Sequence, residues 1–302
     1  MNSLRYWKID YSAVHDGPGI RTAVFFKACP LRCLWCANPE GQAVGSSLLY
    51  YQNRCAKCHR CVEVCPNHAI SADDTGAISI DRSLCKLCTQ CAAHCRNNAL
   101  MPIGKSADVD ELMREFERNR MFYRRTGGGV TFTGGEPLSQ GKALVELAKR
   151  CRDSAIHTVL ETCGFADNNL FRAAAQELDW IYFDLKSIDP EAHLKLTGVS
   201  NELILQNLRT ASEVMGSRGK TLIVRIVVVP GITDGENLKL AAEVLSRLPF
   251  LSGVELLQYH DLGVHKYAQL SLPYPLPEVP IATKEDILLG RKYFKEANIK
   301  LL

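Results

Sequence analysis

No run of apolar residues in this chain approaches the ~18 that a membrane-spanning helix requires. The best stretch, Leu222 to Val229, is short and is interrupted by Arg225. The opening segment MNSLRYWKID lacks the apolar middle of a secretory signal. Low-complexity, collagen-like and Pro/Gly-rich tracts are also missing, since 21 Gly and 13 Pro are spread over 302 residues. Those absences exclude a membrane-spanning, fibrous or disordered chain. The expectation is a soluble protein of the cytosol with no membrane partner. At this length folding buries roughly 75% of the unfolded surface, so a core needs no disulfide staples.

Cysteine, by contrast, is plentiful. Thirteen cysteines in a reducing compartment point to metal ligation instead of disulfides. Cys29, Cys33 and Cys36 form one group; Cys55, Cys58, Cys61 and Cys65 a second; Cys85, Cys88, Cys91 and Cys95 a third. Cys151 and Cys163 remain, and read as ordinary buried thiols.

Outside the second and third groups the chain alternates strand-like and helix-like segments. Strands are expected at Thr22–Lys27, Val130–Thr133, Thr158–Glu161, Trp180–Leu185, Leu222–Val229 and Val254–Gln258, all short apolar runs of the kind covered on both faces. Amphipathic stretches lie near Val109–Met121, Lys142–Asp153, Leu170–Leu178, Glu202–Met215, Asn237–Leu248 and Lys284–Ala297. Ser139 before one helix, and Thr283 followed by Glu285 before the last, are start signals. Strict alternation argues for a parallel α/β sheet, closed like a barrel or open, with chemistry on its strand-to-helix loops. Residues 51–101 form a separate unit between 1–50 and 102–302. Within it each cysteine of the second group recurs thirty positions later, and Asn67, Ala69 and Ile70 have counterparts in Asn97, Ala99 and Leu100. This is an internal duplication.

The doubled C-x2-C-x2-C-x3-C run is the pattern of two-cluster bacterial ferredoxins, in which three close thiolates wrap one cube and the fourth reaches the other. Cys55, Cys58, Cys61 and Cys95 are therefore assigned to one [4Fe–4S] cluster, and Cys85, Cys88, Cys91 and Cys65 to a second. Pro66 follows Cys65 as the pattern requires, whereas Arg96 stands after Cys95. Zinc is the weaker alternative, because four-cysteine zinc sites pair two C-x2-C knuckles across a longer gap. Cys29, Cys33 and Cys36 differ in having no fourth cysteine nearby, so a third [4Fe–4S] cluster held there keeps one iron open to a ligand. A zinc ion completed by a distant histidine is the bland alternative. Eleven thiolates against the six positive charges of three cubane cores take the formal charge from +3 to about −2. No nucleic-acid partner is expected from that balance.

The C-x3-C-x2-C group, with Trp35 at the aromatic position, resembles the signature of the radical S-adenosylmethionine (SAM) superfamily. There the open iron is chelated by SAM, which the reduced cluster cleaves to methionine and a 5′-deoxyadenosyl radical. The segment His15-Asp16-Gly17-Pro18-Gly19-Ile20-Arg21 resembles that of glycyl-radical-enzyme activating enzymes, such as pyruvate formate-lyase activase. Gly127-Gly128-Gly129-Val130, Gly134-Gly135-Glu136-Pro137, Asp184-Leu185-Lys186, Arg225 with Val227-Val228-Val229-Pro230-Gly231, and Tyr259-His260 follow in order over nearly the whole chain. The inserted cysteines are similar to those of larger activases, such as those of glycerol dehydratase and 4-hydroxyphenylacetate decarboxylase.

The resemblance implies a partial (β/α)6 barrel beside a ferredoxin-like insert. It also implies an anaerobic oxidoreductase that uses SAM and one electron to take a hydrogen atom from a glycine of a partner glycyl radical enzyme. A flavodoxin or ferredoxin-type protein would be the electron donor.

The residues carried over with the resemblance each have a physical reading. Gly134 and Gly135 let backbone approach a ligand closely, and the resemblance gives their loop, with Glu136, the SAM amino group. Strand alternation puts Asp184 and Lys186 on one face, with Leu185 between them. The resemblance gives them the SAM ribose or ammonium and the carboxylate; a structural salt bridge is the rival. Trp35, Cys36, Ala37 and His260 complete the expected SAM contacts. Arg225, a charge in an apolar strand, is expected to face the site or to lie in a buried ion pair. Glu161 and Asp184 are the monovalent-cation candidate, although the related activase has an Asp where Glu161 stands. A radical enzyme acting on a small molecule, and a plain electron carrier, are the rivals to the activase reading; the carrier gives no reason for a three-cysteine open site.

Overall fold

The structure, a computed structural model, describes residues 3–302. Its strands in chain order are β1 (Leu4–Ala13), β2 (Arg21–Phe26), β3 (Ser47–Tyr50), β4 (Ile70–Ala72), β5 (Ile78–Ile80), β6 (Leu100–Ile103), β7 (Lys105–Ala107), β8 (Gly129–Gly134), β9 (His157–Thr162), β10 (Trp180–Asp184), β11 (Thr221–Val228) and β12 (Gly253–Gln258). Eight form one sheet in the order β12-β11-β10-β9-β8-β2-β1-β7. The run from β2 to β12 is parallel throughout, as the alternation implied. The first and last strands do not meet, so the barrel stays open.

Two strands of this sheet, β1 and β7, were not legible in the sequence, nor were the four short strands β3 to β6. β1 pairs antiparallel with β2 and with β7, and two register shifts interrupt its pairing with β2. Those irregularities break the two-residue alternation that announces a strand.

Side chains alternate across each parallel strand. Val130, Phe132, Leu160, Ile181, Phe183, Leu222, Val224 and Ile226 join the main core beneath the helices. Val159, Tyr182 and Ile223, with Trp180, form a separate cluster on the other face. The strands are thus not uniformly apolar on both sides, because the inner face also carries Thr133, Glu161, Asp184 and Arg225. That mixed face is where a ligand can bind.

The helices fall close to expectation. Lys142–Asp153 has the expected ends, but Ser139 sits inside a 3-10 turn (Pro137–Gln140) and Gly141 starts the helix. The stretch near Val109–Met121 breaks at Asn119, whose side-chain amide donates to Glu115 O. Thr283 caps the last helix, its box closing on Asp286 in place of Glu285. No helix among the described residues is long and apolar enough to cross a membrane.

The cysteine-rich insert is closed at its base by β3 pairing antiparallel with β6, and has its own small core of Leu48, Ile70, Ile78, Ile80 and Leu100. Its duplication is visible in the backbone. Non-glycine residues with positive φ recur thirty apart: Lys57 and Leu87, His59 and Thr89, His68 and Asn98. Such angles cost energy for residues with a Cβ and persist where surroundings impose them. Here they curl each half around its thiols, and the amides of Ala69 and Ala99 donate to Cys65 Sγ (3.3 Å) and Cys95 Sγ (3.2 Å).

Candidate active site

The loop after β2 carries Cys29, Cys33 and Cys36 and is pinned on three sides. Ala28 N donates to Ala43 O (3.2 Å) and Cys29 N to Gly41 O (3.2 Å). Arg32 N and Leu34 N donate to Thr197 O (2.7 Å) and Leu196 O (3.1 Å) at the end of helix Pro190–Thr197. Lys266, on the loop side of β12, donates to Ala37 O (2.9 Å) and Asn38 Oδ1 (2.8 Å). Trp35 anchors the loop in an apolar nest of Leu196, Val229, Tyr259, Leu276 and Ala282. This rigidity suits a group whose ligands must be held at fixed spacing.

Burial pushes the Cys33 thiol up to about 12 and raises Cys36. Cys29 is lowered, because the Cys163 thiol lies against it. Thiols this buried keep their protons until a metal takes the sulfur, so loading this loop releases protons. The Gln42 side chain lies beside the Cys36 thiol, from the far end of the loop.

The glycines work by close approach. Gly134 has φ +108°, and Gly135 N donates to Phe26 O (2.8 Å). A Cβ on Gly135 would stand 2.6 Å from Gly41 O and 3.2 Å from Cys29 N. The two-glycine turn therefore packs directly on the backbone of the cysteine loop, and only glycine fits. Glu136 is fully buried, its carboxylate accepting from Leu138 N (3.0 Å), Thr162 Oγ1 (2.8 Å), Cys163 N (2.8 Å) and Cys163 Sγ (2.9 Å). Burial raises its pKa while these bonds pull the other way. Its side chain is spent joining the turn after β8 to the end of β9, which leaves backbone as what this turn offers a ligand.

Asp184 and Lys186 share a face as expected, with Lys186 Nζ 3.1 Å from Asp184 Oδ2. Leu185 points into the main core instead. Burial works against the Lys186 charge, but Asp184 and the nearby Cys33 sulfur outweigh it and raise the pKa. A lysine held charged beside the cysteine loop can pair with a carboxylate.

Arg225 is both things the sequence allowed. It lies on the inner face, and it is in a buried network: Nη1 donates to Glu161 Oε1 (2.7 Å), Nε to Glu255 Oε2 (2.7 Å), and its guanidinium lies 3.2 Å from the Tyr182 ring centre. Thr133 Oγ1 donates to the other Glu161 oxygen (2.6 Å). Burial pushes Glu161 up to about 7 against the pull of Arg225. His260 is exposed on the loop after β12, whose Gly263 abuts Cys36 and Ala37.

The His15–Arg21 segment sits beneath this network. Arg21 is wholly buried and donates to Thr131 Oγ1 (2.7 Å), Pro18 O (2.9 Å) and Val130 O (2.7 Å), while Thr131 Oγ1 donates to Asp16 O (2.7 Å). Asp16, raised by burial, faces Arg225. Gln42, Lys266, Thr133 and Glu255 carried no sequence signal, being isolated polar residues in unremarkable contexts.

In the insert the eight cysteines sort into two cavities. One is lined by Cys55, Cys58, Cys61 and Cys95, the other by Cys65, Cys85, Cys88 and Cys91. The fourth cysteine of each run crosses over. Among the described residues no three His, Cys, Asp or Glu side chains converge as they would around one metal ion. Donors spaced around a cavity fit a cluster better than a single zinc ion.

A family model described as the Radical SAM superfamily matches residues 84–244, and one described as a 4Fe-4S dicluster domain matches residues 54–102. The chain belongs to the radical SAM superfamily. The isethionate sulfite-lyase activating enzyme of Nitratidesulfovibrio vulgaris is 43% identical over 279 residues, covering 91% of this chain and 90% of that protein. The trans-4-hydroxy-L-proline dehydratase activating enzyme of Clostridioides difficile is 37% identical, covering 95% and 94%. A domain of pyruvate-formate lyase-activating enzyme from Bacteroides vulgatus superposes with a TM-score of 0.48 at 29% identity, over 58% of this chain and 98% of that domain. Within the radical SAM superfamily this chain is a member of the activating enzymes of glycyl radical enzymes. Its α/β sheet, its 4Fe–4S ligands and the use of SAM belong to that family.

Proposed function

We propose that this radical SAM protein activates one partner enzyme, of the lyase or dehydratase kind, by removing a hydrogen atom from a single glycine of that partner. Residues 1–50 and 102–302 form the radical domain, and 51–101 the electron-carrying insert. Three [4Fe–4S] clusters are read, on Cys29/Cys33/Cys36, on Cys55/Cys58/Cys61/Cys95 and on Cys85/Cys88/Cys91/Cys65. When bound, the first cluster and SAM supply reductive cleavage of a sulfonium to methionine and a 5′-deoxyadenosyl radical.

The observation that carries this reading is the meeting, at one end of the sheet, of a three-cysteine loop with the Gly134–Gly135 backbone and the Lys186 ammonium. In this reading Lys186 takes the SAM carboxylate, and the backbone of the Gly134–Glu136 turn its amino group. Asp184 takes the ribose or ammonium, while Trp35, Ala37 and His260 border the ligand. Arg225 holds the inner face polar and dry beneath it. Glu161 and Asp184 already have Arg225 and Lys186 as cationic partners, so the two side chains fill the place of a monovalent cation. The electron donor is a flavodoxin or ferredoxin-type protein.

The test is anaerobic reconstitution with iron and sulfide, reduction, and addition of SAM with a glycyl radical enzyme. The expected result is 5′-deoxyadenosine together with a stable glycyl doublet in electron paramagnetic resonance (EPR) on the second protein. SAM cleavage that leaves no radical on any glycyl radical enzyme, but alters a small molecule, would overturn it.

A further inference from the structure

The two inserted cysteine quartets are not equivalent in their surroundings. A cavity of about 310 Å³ separates the insert from the loop of the first cysteine trio. Arg32, Pro39 and Gln42 line it from the trio's loop, and Arg82, Cys85 and Leu87 from the insert. Gln42 is the residue whose side chain lies beside Cys36, and Cys85 belongs to the quartet of Cys65, Cys88 and Cys91. One shared cavity thus has a cysteine of one quartet on one wall and the side-chain neighbour of Cys36 on the other. The cavity of Cys55, Cys58, Cys61 and Cys95 is different: every residue lining it lies between Cys55 and Leu100, inside the insert.

Arg82 is the hinge of this arrangement. From the insert it donates to Leu48 O (2.5 Å), and across the junction to Gln269 O (3.2 Å) and Ser271 Oγ (3.1 Å) of the radical domain. Its positive charge lies beside Cys85 and Cys91. Its Nε is buried with no hydrogen-bond partner. A buried donor without an acceptor is costly, and thiolate or sulfide sulfur in the adjoining quartet is an acceptor within that neighbourhood.

We propose that the Cys65/Cys85/Cys88/Cys91 quartet is the inner site, seated against the Cys29–Cys36 loop, that the Cys55/Cys58/Cys61/Cys95 quartet is the outer one, and that Arg82 is the positioning residue that fixes this order. The proposal rests on the three-cluster reading above. One electron from a flavin or iron–sulfur carrier enters at the outer site, passes to the inner site and then to the first cluster; the carrier is oxidised by one electron, and no bond forms or breaks in the insert. A guanidinium beside the inner quartet stabilises its reduced, more negative state, which makes the outer-to-inner transfer favourable.

EPR on reconstituted, reduced holoprotein tests the order. Spin–spin broadening of the Cys29/Cys33/Cys36 cluster signal should be lost in Cys88→Ala and retained in Cys58→Ala. The reverse pattern overturns the proposal. If either cysteine variant fails to load its remaining clusters, Arg82→Gln decides. It keeps every ligand, and redox titration should show the inner midpoint potential moving negative while the outer one stays put. An unmoved inner midpoint overturns the role of Arg82. SAM is added throughout: failure of SAM to change the first cluster's signal in the wild type refutes the activating-enzyme reading, whereas the broadening pattern judges the order alone.

Discussion

Arg225 and Glu161 meet at 2.7 Å across strand β10, which lies between their own strands β11 and β9. The guanidinium spans the gap by lying over Tyr182, the inward residue of the intervening strand. Two polar side chains two strands apart thereby become one unit on an otherwise apolar stretch of the inner face. Breaking such a pair from one side leaves an uncompensated buried charge, which costs about 3–5 kcal/mol. Arg225→Met is expected to lose stability of that order in urea denaturation, and Arg225→Lys less, since lysine keeps the charge but not the fork that reaches both Glu161 and Glu255.

The pH dependence of stability follows from Glu161. Its folded pKa of about 7 lies above the ordinary 4.5, because burial penalises the carboxylate. The folded state therefore holds a proton in a window where the unfolded state has released it, so this group's contribution is full below pH 4.5 and is lost as pH rises through 7. In Glu161→Gln that slope should disappear. Unfolding free energies at pH 5 and pH 8 should differ less in the variant than in the wild type; an equal difference would refute the assignment.

Gly135 gives a sharper structural prediction. An alanine there drives its Cβ into Gly41 O, the acceptor of the Cys29 amide. The loop of the first trio must shift, while the insert is untouched. Gly135→Ala should reconstitute with iron reduced by one cluster's worth, retaining the signals of both inserted clusters. Full loading would mean that the loop tolerates the displacement.

The crossing of the quartets can be read out by a single ligand. Cys95 lines the cavity of Cys55, Cys58 and Cys61, although it lies 34 to 40 residues along the chain from them. Cys95→Ala should abolish that cluster and spare the one on Cys85, Cys88 and Cys91. Isotope-edited Mössbauer or EPR of the reconstituted variant distinguishes the two, and loss of the Cys85 cluster would reverse the pairing.

Lys186→Met should weaken SAM binding by tenfold or more, since a charge-assisted contact to a carboxylate is worth about 1.5–3 kcal/mol. Equilibrium dialysis of SAM against the reconstituted variant measures this. Unchanged affinity would place Lys186 as a structural partner of Asp184 only.

Much of this was legible in the chain because short-range spacing carries it. Three-residue intervals between cysteines fix which thiols can wrap one cluster, and a thirty-residue repeat declares a duplicated unit whatever its surroundings. The parallel strands announced themselves as apolar runs, and Asp184 and Lys186 as alternate residues on one strand. β1 escaped because its register shifts spoil the alternation, and Ser139 misled because a 3-10 turn lies between it and the helix it was expected to start.

The sequence by itself determined the cysteine sets, the α/β alternation and the position of the insert, since each depends on residues near one another along the chain. Only the tertiary structure decided the rest. It turned Glu136 into an internal brace, closed Arg225 between Glu161 and Glu255, and placed Cys85 and the loop of the first trio on the walls of one cavity. Those outcomes depend on which strands neighbour one another and how far each side chain reaches across them, and register and reach have no signature in local spacing.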